Sequence, residues 1–375
     1  MRKKILIIGG KAWSIINFRG DLIKRLKKRG YEVTAVASEA SNSELNQLKN
    51  IGINYIDAQL KTNTISIFKD AVYLKNLKKI ISNINPNIII SYTLKPIIYS
   101  GLAIILNKKI FFFPLFTGLG SIFNTNKIFF YPLKIILIFL SKLVLRKAKV
   151  LIFQNSDNLE YFNKLKIASK VQKVVIDGSG VDINYFNYEP LKNHDITFLL
   201  IARLLKDKGI LEYIEAAKKI KSSNKSVNFN LIGPKDNSHN RVDFDYIKHH
   251  HDKGTINYLG FKNNVKPFIA ESHVFVLPSY HEGLPRSVLE AMSMGRPIIT
   301  TEVPGCKETV INKENGFLIP SKNVNILIEK MSWFINNKDK IPKMGKKSRN
   351  LVEKKFSTEK VNNKFIKLLS NYSKL

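Results

Sequence analysis

At 375 residues, 44% of them hydrophobic, the chain exceeds one ordinary core and suits two domains of typical size. Its single cysteine, Cys306, excludes an internal disulfide framework and an all-cysteine metal cluster. The formal charge of +32 attracts anionic lipid, a phosphorylated substrate or nucleic acid, and composition alone does not choose among them.

Along the chain, Arg2, Lys3 and Lys4 lead into only four apolar residues before Gly9 and Gly10. No signal peptide is expected from that pattern, and the expected compartment is the cytoplasm. The run Lys4–Ile8 reads as a strand and Phe18–Lys28 as a helix, followed by a strand over Glu32–Ala37. A helix over Ile65–Ile84 and strands at Asn87–Ser91, Ile110–Phe113 and Val150–Gln154 come next, with Ser156 placed to cap a following helix. The alternation then restarts with strands at Ile196–Ala202, Val227–Ile232 and His273–Leu277 and a helix at Gly209–Ile220. The polar stretch Asn184–Asp195 between the two series reads as a linker, and Val361–Leu369 as a terminal helix. Apolar strands alternating with helices predict parallel sheets covered on both faces. The expected fold is α/β, two doubly wound Rossmann-like domains facing a central cleft, over 1–185 and 186–355. A closing helix over 356–375 is expected to pack back on the first.

Charge is uneven along this series. The first 150 residues hold 25 basic and 6 acidic side chains, a net of +19, and no Asp or Glu occurs between Ala71 and Ser156. Within that acid-free stretch, Ile128–Leu145 is interrupted only by Pro132, Lys134, Ser141 and Lys142. Three readings are open: a helix buried in the first domain, a helix lying on a bilayer interface, or a spanning helix. The second would insert Phe129, Phe130 and Tyr131 and set Lys134, Lys142, Arg146, Lys147 and Lys149 among headgroups.

Chemistry concentrates in the second half. In His281–Glu290 two glutamates stand eight positions apart, a spacing too common to mean anything by itself. Their setting carries the argument. A strand ends at Leu277, a turn follows over Pro278–Pro285, and Pro285 suits the first position of a helix. Glu282, Gly283 and Leu284 then lie in the loop above the strand and Glu290 inside the helix. One carboxylate can meet sugar hydroxyls, the other a ribose diol, and the helix N-terminus between them offers N–H groups to a diphosphate. Arg203 closes the strand before it and Lys208 precedes the next helix, placing two cations where a diphosphate leaving group would sit.

The Arg203–Lys208 and Glu282–Glu290 segments, with Gly178-Ser179-Gly180-Val181-Asp182, resemble the glycosyltransferase family 4 proteins of the GT-B fold. Ser91-Tyr92-Thr93-Leu94-Lys95-Pro96 and Thr117-Gly118-Leu119-Gly120-Ser121 look like the bacterial members that extend polyprenyl-diphosphate-linked saccharides. The resemblance implies a retaining, metal-independent transferase without a cofactor. Its donor would be a nucleotide-diphosphate-sugar, UDP-linked, carrying an N-acetylhexosamine or hexose, and its site peripheral on the inner face of the cell membrane. Arg203, Lys208 and Glu282 would be catalytic. Gly9, Gly10, Gly283, Leu284, Pro285 and Glu290 would complete the donor site. Arg19 and Lys95, on acceptor-side loops, would pair with an acceptor diphosphate.

Other signals are set aside. Asp243-Phe244-Asp245 opens a helix rather than ending an apolar strand, so it is not read as a metal motif. Three successive histidines, His249–His251, point about 100° apart on a helix, cannot converge on one ion and are read as surface. A nucleotide-sugar 2-epimerase of the same architecture would want acids and histidines in the first domain, which has few acids and no histidine. A nucleic-acid binder would need a reader module that the sequence lacks.

Overall fold

Ile5–Ile8 is apolar throughout and fully buried, as a parallel strand covered on both faces requires. The computed structural model describes residues 2–60, 66–119 and 131–373. Ile65, the Gly120-Ser121 end of one motif, and Phe129 and Phe130 lie outside the described residues.

The first series runs β1 (Lys4–Lys11), α1 (Ala12–Lys28), β2 (Glu32–Ser38), α2 (Asn42–Asn50), β3 (Asn54–Asp57), α3 (Ile67–Ile84), β4 (Ile88–Tyr92), α4 (Leu94–Ala103), β5 (Phe111–Phe116), α5 (Tyr131–Val144), β6 (Val150–Phe153), α6 (Ser156–Lys164) and β7 (Gln172–Val175). These strands form one parallel sheet in the order β3-β2-β1-β4-β5-β6-β7. The second series runs β8 (Thr197–Ile201), α7 (Ile210–Ser223), β9 (Asn228–Ile232), α8 (Phe244–Asp252), β10 (Asn257–Tyr258), α9 (Lys266–Ala270), β11 (Val274–Leu277), α10 (Arg286–Ser293), β12 (Ile298–Thr301), β13 (Gly316–Ile319), α11 (Val324–Asn336), α12 (Ile341–Leu351) and α13 (Thr358–Ser373). Its sheet, also parallel, has the order β10-β9-β8-β11-β12-β13. In each sheet the winding reverses beside the first strand, between β1 and β4 and between β8 and β11. Ligands of doubly wound sheets bind outside the carboxyl ends of the strands at such a point.

Two compact units result: residues up to Ser179 together with those from Asn362 onward, and Gly180–Val361. The closing helix thus packs on the first unit, with Asn362 donating to Asp21 at 2.7 Å and Lys364 paired to Asp177 at 2.9 Å. Beside this crossing, Val181 pairs with Ser357, and Gly180 takes φ +72° where a Cβ would lie 2.6 Å from the Thr358 Cα.

Several local readings change. Asn155, not Ser156, caps α6, its side chain accepting from the Asn158 N–H at 2.9 Å. The stretch 184–195, expected as a linker, is tied to the second unit instead. The wholly buried Arg296 donates to the Glu189 carbonyl, Ser293 to the Phe186 carbonyl at 2.6 Å, and Arg349 to the Ile183 and Phe186 carbonyls. Polar sequence without periodicity hides such anchoring, because the donors come from distant positions. His250 is buried against Tyr246, with ring centroids 4.6 Å apart, so only His249 and His251 of the histidine triplet are surface residues. Asp243 caps α8, accepting from the Asp245 N–H at 3.0 Å, and among the described residues no acidic, histidine or cysteine group is arranged to hold a metal. No described helix is long and apolar enough to cross a membrane.

Candidate functional site

Strands β8 and β11 lie side by side, Phe198 opposite Val274 and Leu199 opposite Phe275. The segments that leave their carboxyl ends therefore meet. After β8 the chain passes Arg203, makes a single 3-10 turn over Lys206–Lys208, and enters α7 through Gly209 at φ +71°. A Cβ on Gly209 would stand 2.2 Å from the Pro278 carbonyl oxygen, so only glycine admits this close approach. The Asp207 carbonyl then accepts from the Tyr280 N–H at 2.8 Å and the Ser279 hydroxyl at 3.0 Å. The Tyr280 hydroxyl in turn bonds Glu212 on α7. A third segment supports the loop from β12. Gly305, at φ +84°, lets it pass under Glu282, whose N–H donates to the Pro304 carbonyl at 3.1 Å.

This framework brings Lys208 and Glu282 together, Nζ to Oε1 at 2.7 Å, with both side chains largely enclosed. Burial presses the Lys208 ammonium toward its neutral form, but Glu282, its hydrogen bond and Asp207 outweigh that and raise its pKa. Asp207 is itself held above the usual carboxylate range, first by burial. Arg203 is not part of this pair. It is mostly exposed and donates to Asp236 at 3.2 Å. Pro285 is the residue before α10 rather than its first helical residue. Inside α10, Glu290 accepts from Arg286 Nε at 2.9 Å, and burial raises its carboxyl to about 6 against the pull of Arg286.

Expected residues of the first unit fall differently. Gly9 and Gly10 lie within β1, where its register to β2 shifts between Ile8 and Lys11. A Cβ on Gly9 would collide with the Tyr92 ring at 2.3 Å, so packing inside the unit already accounts for this glycine. Arg19 and Lys95 are on helices, not loops. Arg19 is buried in α1, its guanidinium 5.1 Å from the Tyr92 ring centroid, and the Tyr92 hydroxyl shares a 2.8 Å hydrogen bond with Ser14. Lys95, in the first turn of α4, is paired with Asp70 at 3.0 Å. Sequence reasoning passed over Tyr280 and Asp207. Only the neighbourhood of the glutamate loop could have flagged the first, and no local signal marks Cys306, which is buried with its thiol pushed up to about 12.

Two Rossmann-like domains in one chain, the second with a polar cluster at its switch point, constitute the GT-B architecture. The family model described as "Glycosyl transferases group 1" matches residues 182–372, and one described as "Glycosyl transferase 4-like" matches 4–155. The chain is a glycosyltransferase and belongs to the glycosyl transferases group 1 family. It is 30% identical over 342 residues to the N,N'-diacetylbacillosaminyl-diphospho-undecaprenol alpha-1,3-N-acetylgalactosaminyltransferase of Campylobacter jejuni, covering 86% of this chain and 87% of that one. It is also 30% identical to an Escherichia coli UDP-Gal:alpha-D-GlcNAc-diphosphoundecaprenol alpha-1,3-galactosyltransferase, over 48% of each chain. Among solved structures, Anabaena HepE in complex with UDP and glucose superposes with TM-score 0.80 at 17% identity, covering 99% of this chain and 100% of that one.

Proposed function

We propose that this chain is a retaining, metal-independent family 4 enzyme moving an N-acetylhexosamine or hexose from a UDP-sugar to a polyprenyl-diphosphate-linked saccharide. The reading places it in surface polysaccharide or glycan assembly, in the cytoplasm and peripheral on the inner face of the membrane. The observation that carries it is the Lys208–Glu282 contact at the switch point, directly before the N-terminus of α10. The names of the Campylobacter and Escherichia relatives support the acceptor class.

In this reading the donor diphosphate lies at the α10 N-terminus and competes with Glu282 for Lys208. Splitting the pair frees Glu282 to accept from sugar hydroxyls, while Glu290 accepts from the ribose diol. Gly283, Leu284 and Pro285 line the donor as loop backbone. As the glycosidic bond breaks, Lys208 and Arg203 hold the leaving charge, a stabilisation greatest in the transition state. The acceptor hydroxyl attacks from the same face and passes its proton to the departing phosphate oxygen, so no enzyme nucleophile is used. Arg19 and Lys95 serve the acceptor diphosphate, and Lys95 does so by exchanging its Asp70 partner.

The test is incubation of the purified chain with a panel of labelled nucleotide-sugars, short polyprenyl-diphosphate saccharides and a metal chelator. Label entering the organic phase with retained anomeric configuration is the expected result. Release of a free epimer without transfer, or transfer with inversion, would sink the reading.

A further inference from the structure

Helix α5 is apolar except for Lys134, Ser141 and Lys142. Its inner side packs on the first unit's core through Leu137, Ile138 and Val144, and Val144 seats against α4 where Gly101 leaves no room for a Cβ, which would lie 2.5 Å from it. That contact fixes which side of α5 faces outward. The outward residues Tyr131, Ile135, Ile136, Phe139 and Leu143 are 37% to 66% exposed, and all are large and apolar. Tyr131, Ile135, Phe139 and Leu143 recur every fourth position, so they line one stripe along the helix. A helix whose outward stripe is apolar needs a core or lipid against that stripe, and here it is left outside the core.

We propose that this stripe is the surface by which the protein lies on an anionic bilayer, with α5 parallel to the membrane plane. The described helix has 14 residues, about 21 Å of length, too short for the ~30 Å hydrocarbon core. Charge decides between a bilayer and a second copy of the chain. Lys134 and Lys142 lie on the helix, Arg146, Lys147 and Lys149 follow its end, and the sequence offers no acid from Ala71 to Ser156. Two such faces brought together would set cation against cation, whereas anionic headgroups complement both the lysines and the apolar residues between them.

Direction in the fold adds a consequence. Strands β5 and β6 are parallel, so the helix joining them runs back along the sheet, with Tyr131 toward the carboxyl edge and Val144 toward the amino edge. The stripe therefore starts at the edge that carries Tyr92 and leads into Lys95. This inference rests on the reading in which the acceptor is a membrane-anchored diphosphate, and it lays that edge beside the headgroup layer.

The experiment is co-flotation of the full chain with vesicles of phosphatidylglycerol and phosphatidylcholine, or of phosphatidylcholine alone. Wild type should float with the anionic vesicles, and Ile135→Glu/Phe139→Glu should lower that partition by about ten-fold or more with its melting temperature kept. As a second readout, tryptophan emission of Phe139→Trp should shift blue on anionic vesicles and be quenched by brominated acyl chains. Absence of wild-type flotation, or a double variant floating like wild type, would overturn the proposal. So would a wild-type dimer, seen by sedimentation without vesicle binding, that the double variant dissociates. Transfer to a short, water-soluble acceptor should be unchanged in the double variant. Flotation that follows the prediction while every nucleotide-sugar fails to transfer would support this surface and reject the proposed donor and acceptor alone.

Discussion

At the carboxyl edge of β8 and β11, Lys208 rests on Glu282, Arg203 on Asp236 and Arg286 on Glu290. At the matching edge of β1 and β4, the buried Arg19 lies over the Tyr92 ring, and Lys95 is paired with Asp70. The strand order around both switch points is the same. The difference teaches that the sheet only chooses the place, while the segments leaving it choose the chemistry. In the second unit, the proposed function uses these carboxylates to accept hydroxyl hydrogen bonds beside cations for a diphosphate. The first unit has no Asp or Glu between Ala71 and Ser156, and the proposed function has it meet an anion.

The comparison breaks most clearly in turnover. Replacing Lys208 with Ala should cut kcat by about 10²–10³-fold with a much smaller change in donor affinity, while Lys95→Ala should raise the acceptor KM and leave donor parameters alone. Near-wild-type kcat for Lys208→Ala, in steady-state assays on protein of checked fold, would put the chemistry elsewhere. Backbone comes next. Gly209→Ala and Gly9→Ala should each lower the thermal midpoint by an amount worth about 2–4 kcal/mol, since each Cβ meets atoms within 2.3 Å. The cases then diverge: Tyr92→Ala should restore much of the loss for Gly9→Ala, whereas the Pro278 backbone oxygen cannot be removed for Gly209→Ala. Equal rescue of both would contradict the packing described.

A smaller effect is expected in pH dependence. Glu290 has its folded pKa raised to about 6 from 4.5, so the folded state binds the proton more tightly than the unfolded one. Its contribution is therefore present below about 4.5 and lost as pH rises to about 6, on the order of 2 kcal/mol. Denaturant titrations across that window should show the slope flatten in Glu290→Gln. Donor affinity should move the opposite way, rising through pH 6 as the carboxylate forms. The smallest effect is a null one. Cys306, its thiol pushed up to about 12 by burial, should resist maleimide at pH 8 in the native protein and react only on unfolding.

Much of this was open to sequence reading because parallel strands buried on both faces are unbroken apolar runs, as at Ile5–Ile8 and Val274–Leu277. The short edge strands β7 and β10 lack that signature, with Gln172 exposed and both residues of β10 half-buried. Glu282 and Lys208 were legible from the strand–turn–helix around them, but their contact was not, since 74 positions separate them. Lys95 was misplaced on a loop because α4 opens at Leu94 behind Thr93 at φ +67°, whereas the expected helix over Phe18–Lys28 already held Arg19 and missed only that α1 begins at Ala12, immediately after a strand. Neither start carries a capping side-chain bond to announce it.

The division of labour between the two edges is tested most directly by calorimetric titration of UDP into wild type, Glu290→Ala and Lys95→Ala. The account predicts one site per chain, weakened by about ten-fold or more in Glu290→Ala and within about two-fold of wild type in Lys95→Ala. Binding indifferent to Glu290, or lost with Lys95, would contradict it.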